Sequence, residues 1–372
     1  MPPISVLIKP SSGMCNMSCD YCFYCNEMKK RKQENYGLMA EETLKNVIRK
    51  TMLKAEGSIS YVFQGGEPTL RGLDFFEKVI QYQKKYNRNS IQVYNSLQTN
   101  GYAINENWCL FFKEYNFLVG ISLDGTKETH NAYRHSKAGS TTYERILQTT
   151  KMLDAYEVDY NILTVVHQKV AEKAAEIYAL YKKQGWHYQQ YIACLDPLDE
   201  VHGEKEYALT PKQYGEFLIE LFELWYIDWK QGKQPYIRQF ENYILAILGY
   251  VPESCDQRGT CGIQYVVEAD GSVYPCDFYM LDEYRIGNFN ENRLDEMDEK
   301  REKSEFIQRS RLVNKECKEC SYYKICRGGC QRNRDFNRKT GRYDNYFCIS
   351  YQMFFDKCIC KMLEIAETVG HW

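Results

Sequence analysis

Residues 15–25 read C-N-M-S-C-D-Y-C-F-Y-C, which sets Cys15, Cys19 and Cys22 in a C-x3-C-x2-C array. Thiolates this close along one loop suit a cubane in which each cysteine grips a different iron of one [4Fe–4S] unit. Three ligands leave the fourth iron open, and an open position separates a reactive centre from one that only passes electrons. Cys25 complicates the reading. Cys19, Cys22 and Cys25 match the first three ligands of a ferredoxin-type run, and a fourth thiolate would close the cluster. The same spacing also suits Zn²⁺, for which cysteines two to four residues apart are common ligands. Spacing alone leaves all three readings open.

Outward from this array, short apolar runs alternate with helical patterns. Strands are expected at Ile4–Ile8, Ile59–Phe63, Ile91–Leu97, Leu118–Leu123, Tyr160–Val166 and Tyr188–Ile192, each rich in Val, Ile or Tyr and cut off by Gly, Pro or Asn. Between them, apolar residues at i, i+3, i+4 and i+7 predict helices over Glu41–Lys54, Asp74–Tyr86, Asn105–Tyr115, Tyr143–Tyr156 and Ala171–Gln184. Six β-then-α units in series imply an α/β fold with a parallel sheet and right-handed crossovers. Six are too few for a closed eight-unit barrel, so an open, partial (β/α)6 barrel is expected. Directly after the second strand stands Gly65-Gly66-Glu67-Pro68. Two glycines there permit close backbone approach, and a glutamate can accept from an ammonium group.

The rhythm then changes. Helices are expected over Lys212–Gln231, opened by Pro211, and over Tyr236–Leu248, with a last one at Tyr351–Glu367. From Cys255 to Cys348 the chain reads as loop, with eight cysteines in 94 residues. That stretch is too polar to form a large core alone, so metal is its natural staple. The expected domains are residues 1–234, a barrel with a connecting helix; 235–348, the cysteine-rich domain; and 349–372, a terminal helix.

Composition narrows the class. The chain has 372 residues with 48 basic and 50 acidic side chains, a balance that argues against nucleic acid as partner. The opening MPPISVLIKPSSG does not read as a signal peptide, and no apolar window is long enough to span a membrane. A cytoplasmic protein is expected, whose 16 cysteines stay reduced and bind metal or do chemistry rather than form disulfides.

The string C-N-M-S-C-D-Y-C-F-Y, with an aromatic before the third cysteine and Phe-Tyr after it, resembles the signature of radical S-adenosylmethionine (SAM) enzymes. Gly65-Gly66-Glu67-Pro68 matches the GGEP motif of that family. The resemblance implies a partial (β/α)6 barrel and one [4Fe–4S] cluster on Cys15, Cys19 and Cys22. SAM would occupy the open iron and be cleaved to a 5′-deoxyadenosyl radical. It also implies SAM contacts from Gly65, Gly66 and Glu67; from Ser122 and Asp124, at the ribose and methionine portions; from Arg134, at the carboxylate; and from Tyr21, Tyr24 and Leu195.

The later cysteines run Cys261-x9-Gly271-x4-Cys276, then Cys317-x2-Cys320-x5-Cys326-x3-Cys330-x17-Cys348. This resembles the SPASM pattern of radical SAM enzymes that modify peptides and proteins, with Cys255 as an eighth ligand. Eight thiolates suffice for two closed [4Fe–4S] clusters. By similarity, Cys255, Cys261, Cys276 and Cys330 hold one auxiliary cluster, and Cys317, Cys320, Cys326 and Cys348 hold the other. A zinc ribbon is the alternative that Cys317-x2-Cys320 alone would suit. Of the five remaining cysteines, Cys109, Cys194, Cys358 and Cys360 read as small buried or helix-surface residues.

The strings I-K-P-S-S-G-M-C-N-M-S-C, Q-G-G-E-P-T-L and C-D-F-Y together resemble the anaerobic sulfatase-maturating enzymes, a likeness that covers essentially the whole chain. It implies oxidation of a cysteine or serine, in a C/S-x-P-x-R motif of a sulfatase, to Cα-formylglycine. The adenosyl radical would take a hydrogen atom from Cβ, Asp277 would act as the base, and the remaining electron would leave through the auxiliary clusters. Expected partners are an unfolded or nascent sulfatase polypeptide and a flavodoxin- or ferredoxin-type electron donor. Another SPASM peptide maturase, forming a thioether or other crosslink, is the alternative. Arg327, Arg332, Arg334, Arg338 and Arg342 are candidates to steer an acidic partner, with cluster sulfides and helix ends as competing explanations.

Overall fold

Runs of Val, Ile and Tyr become strands because their branched and aromatic side chains pack well on a pleated surface. The computed structural model describes residues 3–198, 200–337 and 342–370. In chain order its strands are β1 (Ile4–Ile8), β2 (Met17–Cys19), β3 (Ser58–Phe63), β4 (Gln92–Thr99), β5 (Leu118–Ser122), β6 (Arg134–Ser136), β7 (Tyr160–Val166), β8 (Tyr188–Ala193), β9 (Tyr236–Ile237), β10 (Tyr265–Val267), β11 (Ser272–Tyr274), β12 (Gly287–Asn288), β13 (Arg334–Asn337) and β14 (Arg342–Asn345). They fall into two compact units.

The first unit comprises Met1–Leu123, Tyr133–Asn161 and Ile263–Glu305. Its sheet runs β12-β11-β10-β1-β3-β4-β5. The pairs from β10 through β1, β3 and β4 to β5 are parallel, and β10–β11 and β11–β12 are antiparallel. Helices Glu41–Met52 and Leu73–Tyr86 bury Leu44, Val47, Ile48, Phe76 and Val79. An aromatic cluster fills the core, with Phe63 and Phe76 ring centres 5.0 Å apart and Phe76 and Trp108 5.2 Å apart. Separately, β2 pairs antiparallel with β6, which sets Cys19 opposite Arg134.

The second unit comprises Asp124–Ala132, Ile162–Gly262 and Phe306–Trp372. It holds β7, β8 and β9 in parallel register and the antiparallel hairpin β13–β14. Its long helix Pro211–Trp229 starts at a capping box, where Thr210 accepts from the Gln213 backbone and the Gln213 side chain accepts in return. Phe222 on that helix packs against Phe240 and Phe354, with centroid separations of 5.1 and 5.7 Å. Among the described residues no helix is long and apolar enough to cross a membrane.

All six expected strands form. Three expectations change. The segment read as loop from Cys255 contributes β10, β11 and β12, because Tyr-Val-Val and Val-Tyr flank a tight turn at Asp270-Gly271 and extend the sheet of the first unit. The helix expected from Ala171 is two, Gln168–Ala171 and Ala174–Gln184. The one expected from Tyr236 begins at Arg238, since Tyr236 and Ile237 pair with β8.

Candidate active site

Polar residues that follow parallel strands collect at the carboxyl edge of a sheet, where α/β folds place ligands. In the first unit these are Lys9 after β1, Gln64 after β3, Asn100 after β4 and Ser122 ending β5. The cysteine loop lies against the same edge. Gly66, at φ +56°, leaves no room for a side chain, because a Cβ there would stand 2.3 Å from the Met14 carbonyl oxygen. The Glu67 backbone N–H donates to that carbonyl at 2.7 Å. Gly65, at φ +104°, is packed on the Lys9 side chain in the same way. Gly65-Gly66 therefore clamps the segment that leads into Cys15.

Glu67 is fully buried. Its Oε1 accepts from the Thr69 backbone N–H, the Thr69 hydroxyl and the Thr99 hydroxyl, and its Oε2 accepts from the Asn100 backbone N–H at 2.8 Å. Burial raises its pKa, and these donors oppose the rise. The carboxylate thus ties the end of β3 to the end of β4. A carboxylate offers about four lone-pair sites, which leaves spare acceptor capacity on Oε2.

Cys15 is enclosed, and burial pushes its thiol up to about 11, with the Glu67 charge adding to the rise. Its Sγ nonetheless receives the Met17 backbone N–H at 3.3 Å and the Asn100 amide at 3.5 Å. The Cys22 thiol is raised by a hydrogen bond to Cys25 and by burial, while the same bond lowers exposed Cys25 to about 7. Tyr21 is buried with the Arg134 guanidinium over its ring at 5.4 Å.

Asp277 opens a short 3-10 turn directly after Cys276 and is 6% exposed. Its Oδ2 accepts the Tyr24 hydroxyl at 2.5 Å and the Gln64 amide at 3.0 Å, and Gln64 also donates to the Tyr24 oxygen at 2.8 Å. Its Oδ1 is buried and has no hydrogen-bond partner among the described residues. Burial raises the Asp277 pKa, against the pull of the Lys9 charge and the Tyr24 hydrogen bond. Lys9, itself 1% exposed, stands over the Tyr24 ring at 4.3 Å and 4.0 Å from Glu268, which Arg31 also pairs at 2.7 Å.

In the second unit, Asp124 is fully buried and accepts the Val165 backbone N–H at 2.9 Å through Oδ1. Leu195 lies just beyond β8, partly buried. Cys317, Cys320, Cys326 and Cys348 line one cavity of about 350 Å³. Burial first, then charge on those three neighbours, pushes Cys326 up to about 12. Cys330 is raised to about 12 by burial, with charge on Cys255 and Cys261 adding to it. Of the ten cysteines in this unit, Cys317, Cys320, Cys326 and Cys348 share one cavity, and Cys255 and Cys261 lie close enough to Cys330 for their charge to act on it. Cys276, in the first unit, completes the expected eight. Arg332 and Arg334 do not form a steering surface. Both are buried, Arg332 donating to the Asp196 carbonyl and Arg334 to carbonyls of Gly328, Ser310 and Leu312. Arg338 and the Arg342 side chain lie outside the described residues.

The donor sets fit iron–sulfur clusters. Among the described residues no three His, Cys, Asp or Glu side chains converge on a single-ion site. Four thiols instead surround a cavity, as a cubane with separate irons requires. Buried thiols with raised pKa values become thiolates when metal binds and releases their protons. The spacing-based reading missed Lys9, Gln64 and Asn100. Their signal was available: each is the first residue beyond a parallel strand, Lys9 after β1, Gln64 after β3 and Asn100 after β4.

The radical SAM superfamily model matches residues 10–180, and the iron–sulfur cluster-binding domain named SPASM matches residues 259–321. The chain is 43% identical over 371 residues to a cysteine-type anaerobic sulfatase-maturating enzyme of Clostridium novyi, covering 100% of this chain and 99% of that one. It is 30% identical to a serine-type anaerobic sulfatase-maturating enzyme of Bacteroides thetaiotaomicron, covering 95% of this chain and 89% of that one. A solved structure described as native anSMEcpe with bound AdoMet and Cp18Cys peptide matches with a TM-score of 0.93 and 42% identity, over 99% of this chain and 100% of that chain.

Proposed function

This chain belongs to the anaerobic sulfatase-maturating enzymes of the radical SAM superfamily, and on that premise we propose that it prefers a cysteine substrate in a C-x-P-x-R segment of an unfolded or nascent sulfatase. It is a radical SAM oxidoreductase with a SPASM domain, and its product is Cα-formylglycine. The observation that carries the cysteine preference is full-length identity of 43% to a cysteine-type relative, against 30% to a serine-type one. The same full-length likeness favours formylglycine formation over thioether or other crosslinks.

Cys15, Cys19 and Cys22 would hold the cluster that binds SAM, with Tyr21, Tyr24, Gly65, Gly66, Glu67, Ser122, Asp124, Arg134 and Leu195 around the cofactor. Cys255, Cys261, Cys276 and Cys330 would hold one auxiliary cluster, and Cys317, Cys320, Cys326 and Cys348 the other. When bound, these groups supply a 5′-deoxyadenosyl radical for hydrogen abstraction at the substrate Cβ and an acceptor for the electron left behind.

Asp277 takes the thiol proton. Tyr24 and Gln64 hold its Oδ2, which fixes the carboxylate and leaves Oδ1 as the atom with no hydrogen-bond partner among the described residues. Burial strengthens it as a base, and Tyr24 and Gln64 keep its geometry rigid. The resulting thioaldehyde hydrolyses to the aldehyde. Reduction would come from a flavodoxin- or ferredoxin-type donor, a one-electron carrier suited to an iron–sulfur cluster. A cytoplasmic setting accords with clustered cysteines that bind iron–sulfur clusters.

Two synthetic peptides that differ only in cysteine or serine at the modified position test the preference. Anaerobic incubation with SAM and a reductant should give aldehyde faster from the cysteine peptide. Faster turnover of the serine peptide would overturn it.

A further inference from the structure

Asn100 is 7% exposed, and its backbone N–H and both ends of its side-chain amide are engaged. Its backbone N–H donates to Glu67 Oε2 at 2.8 Å. Its Oδ1 accepts the Tyr102 backbone N–H at 2.9 Å, which decides the orientation of the amide. The two amide hydrogens are then left for Asn16 Oδ1, at 2.7 Å, and for Cys15 Sγ, at 3.5 Å. The Met17 backbone N–H, at 3.3 Å, is the second donor to that sulfur. Of the two, only the Asn100 donor belongs to a side chain.

We propose that Asn100 is a positioning residue that tunes the N-terminal cluster through an N–H···S hydrogen bond to Cys15. The inference rests on the reading of Cys15 as a cluster ligand. Hydrogen bonds to ligand sulfurs set the potential of an iron–sulfur centre, because they stabilise the more negative, reduced state. Asn100 therefore makes the cluster easier to reduce. It also couples the Glu67 turn to the ligand, since one residue bonds to both.

Two variants separate this role from mere support of the loop. Asn100→Ala removes the donor, and Asn100→Asp keeps the Tyr102 contact while facing the sulfur with an oxygen. The anaerobic full-length protein with all its clusters would be titrated electrochemically by electron paramagnetic resonance. The signal that changes on adding SAM reports the cluster with the open iron. Its presence in the wild type tests the ligand reading independently. The expected result is a potential more negative in both variants, with the reduction equilibrium shifted about tenfold, or about 59 mV for one electron. An unchanged potential in a variant that keeps the SAM-responsive signal would overturn the proposal. Loss of the signal from both variants would also overturn it, because Asn100 would then hold the loop rather than tune the sulfur.

Discussion

Asp277 owes its character to three neighbours with separate effects. Tyr24 and Gln64 fix one carboxylate oxygen, and burial discourages charge on the other. Lys9 offsets part of that cost from beneath the Tyr24 ring. Asp277→Asn keeps the shape and the Tyr24 contact but cannot accept a proton. The variant should retain its iron and still cleave SAM, while aldehyde formation falls by about 10²–10⁴-fold. Iron assay, 5′-deoxyadenosine release and aldehyde yield, measured together, check this; undiminished aldehyde yield would remove Asp277 from the role. The cysteine spacings and the motif strings single out Asp277 and the eleven candidate ligands in the sequence. Gln64 and Lys9 lie within quoted strings, yet their contacts with Asp277 and Tyr24 were not legible, because those depend on two strands, distant in sequence, ending at the same edge.

At the scale of elements, the loop after β8 and the hairpin β13–β14 meet through one imidazole. His202 Nδ1 lies 3.2 Å from Asp196 and its Nε2 3.0 Å from Asp335 on β13, with its ring stacked on Tyr346 at 4.3 Å. Hydrogen bonds to Asp196 and then Asp335 raise its pKa to about 9, against burial. A folded-state pKa above the unfolded value of 6.5 means stabilisation that is full below about pH 6.5 and fades as pH rises through about 9. The contribution is about 2 kcal/mol, discounted because Asp335 is 62% exposed. Urea denaturation of the wild type and His202→Gln from pH 6 to 10 should show curves that converge at the alkaline end; a constant gap would contradict the clasp. Element boundaries were legible wherever periodicity was strong. They failed at β9 and at Glu172, where tertiary pairing and a one-turn helix interrupt a continuous helical pattern. The strands β10–β12 were hidden because two- and three-residue strands leave no period to read.

Over the whole molecule, the proposed ligand sets would serve three cofactor sites with different ligand counts. Three cysteines near the N-terminus would leave an iron for SAM, and eight later ones would suffice to close two clusters. Spacing proposed that division; the four thiols around one cavity and the mutual effects among Cys255, Cys261 and Cys330 accord with it. On the proposed mechanism, hydrogen abstraction at the substrate Cβ precedes formation of the aldehyde. It is tested most directly with a C-x-P-x-R peptide whose cysteine carries deuterium at Cβ, incubated anaerobically with the enzyme, SAM and a reductant. The expected product is 5′-deoxyadenosine bearing one deuterium, one molecule for each aldehyde formed. Aldehyde accompanied by unlabelled 5′-deoxyadenosine, or labelled 5′-deoxyadenosine with no aldehyde from the wild type, would contradict it.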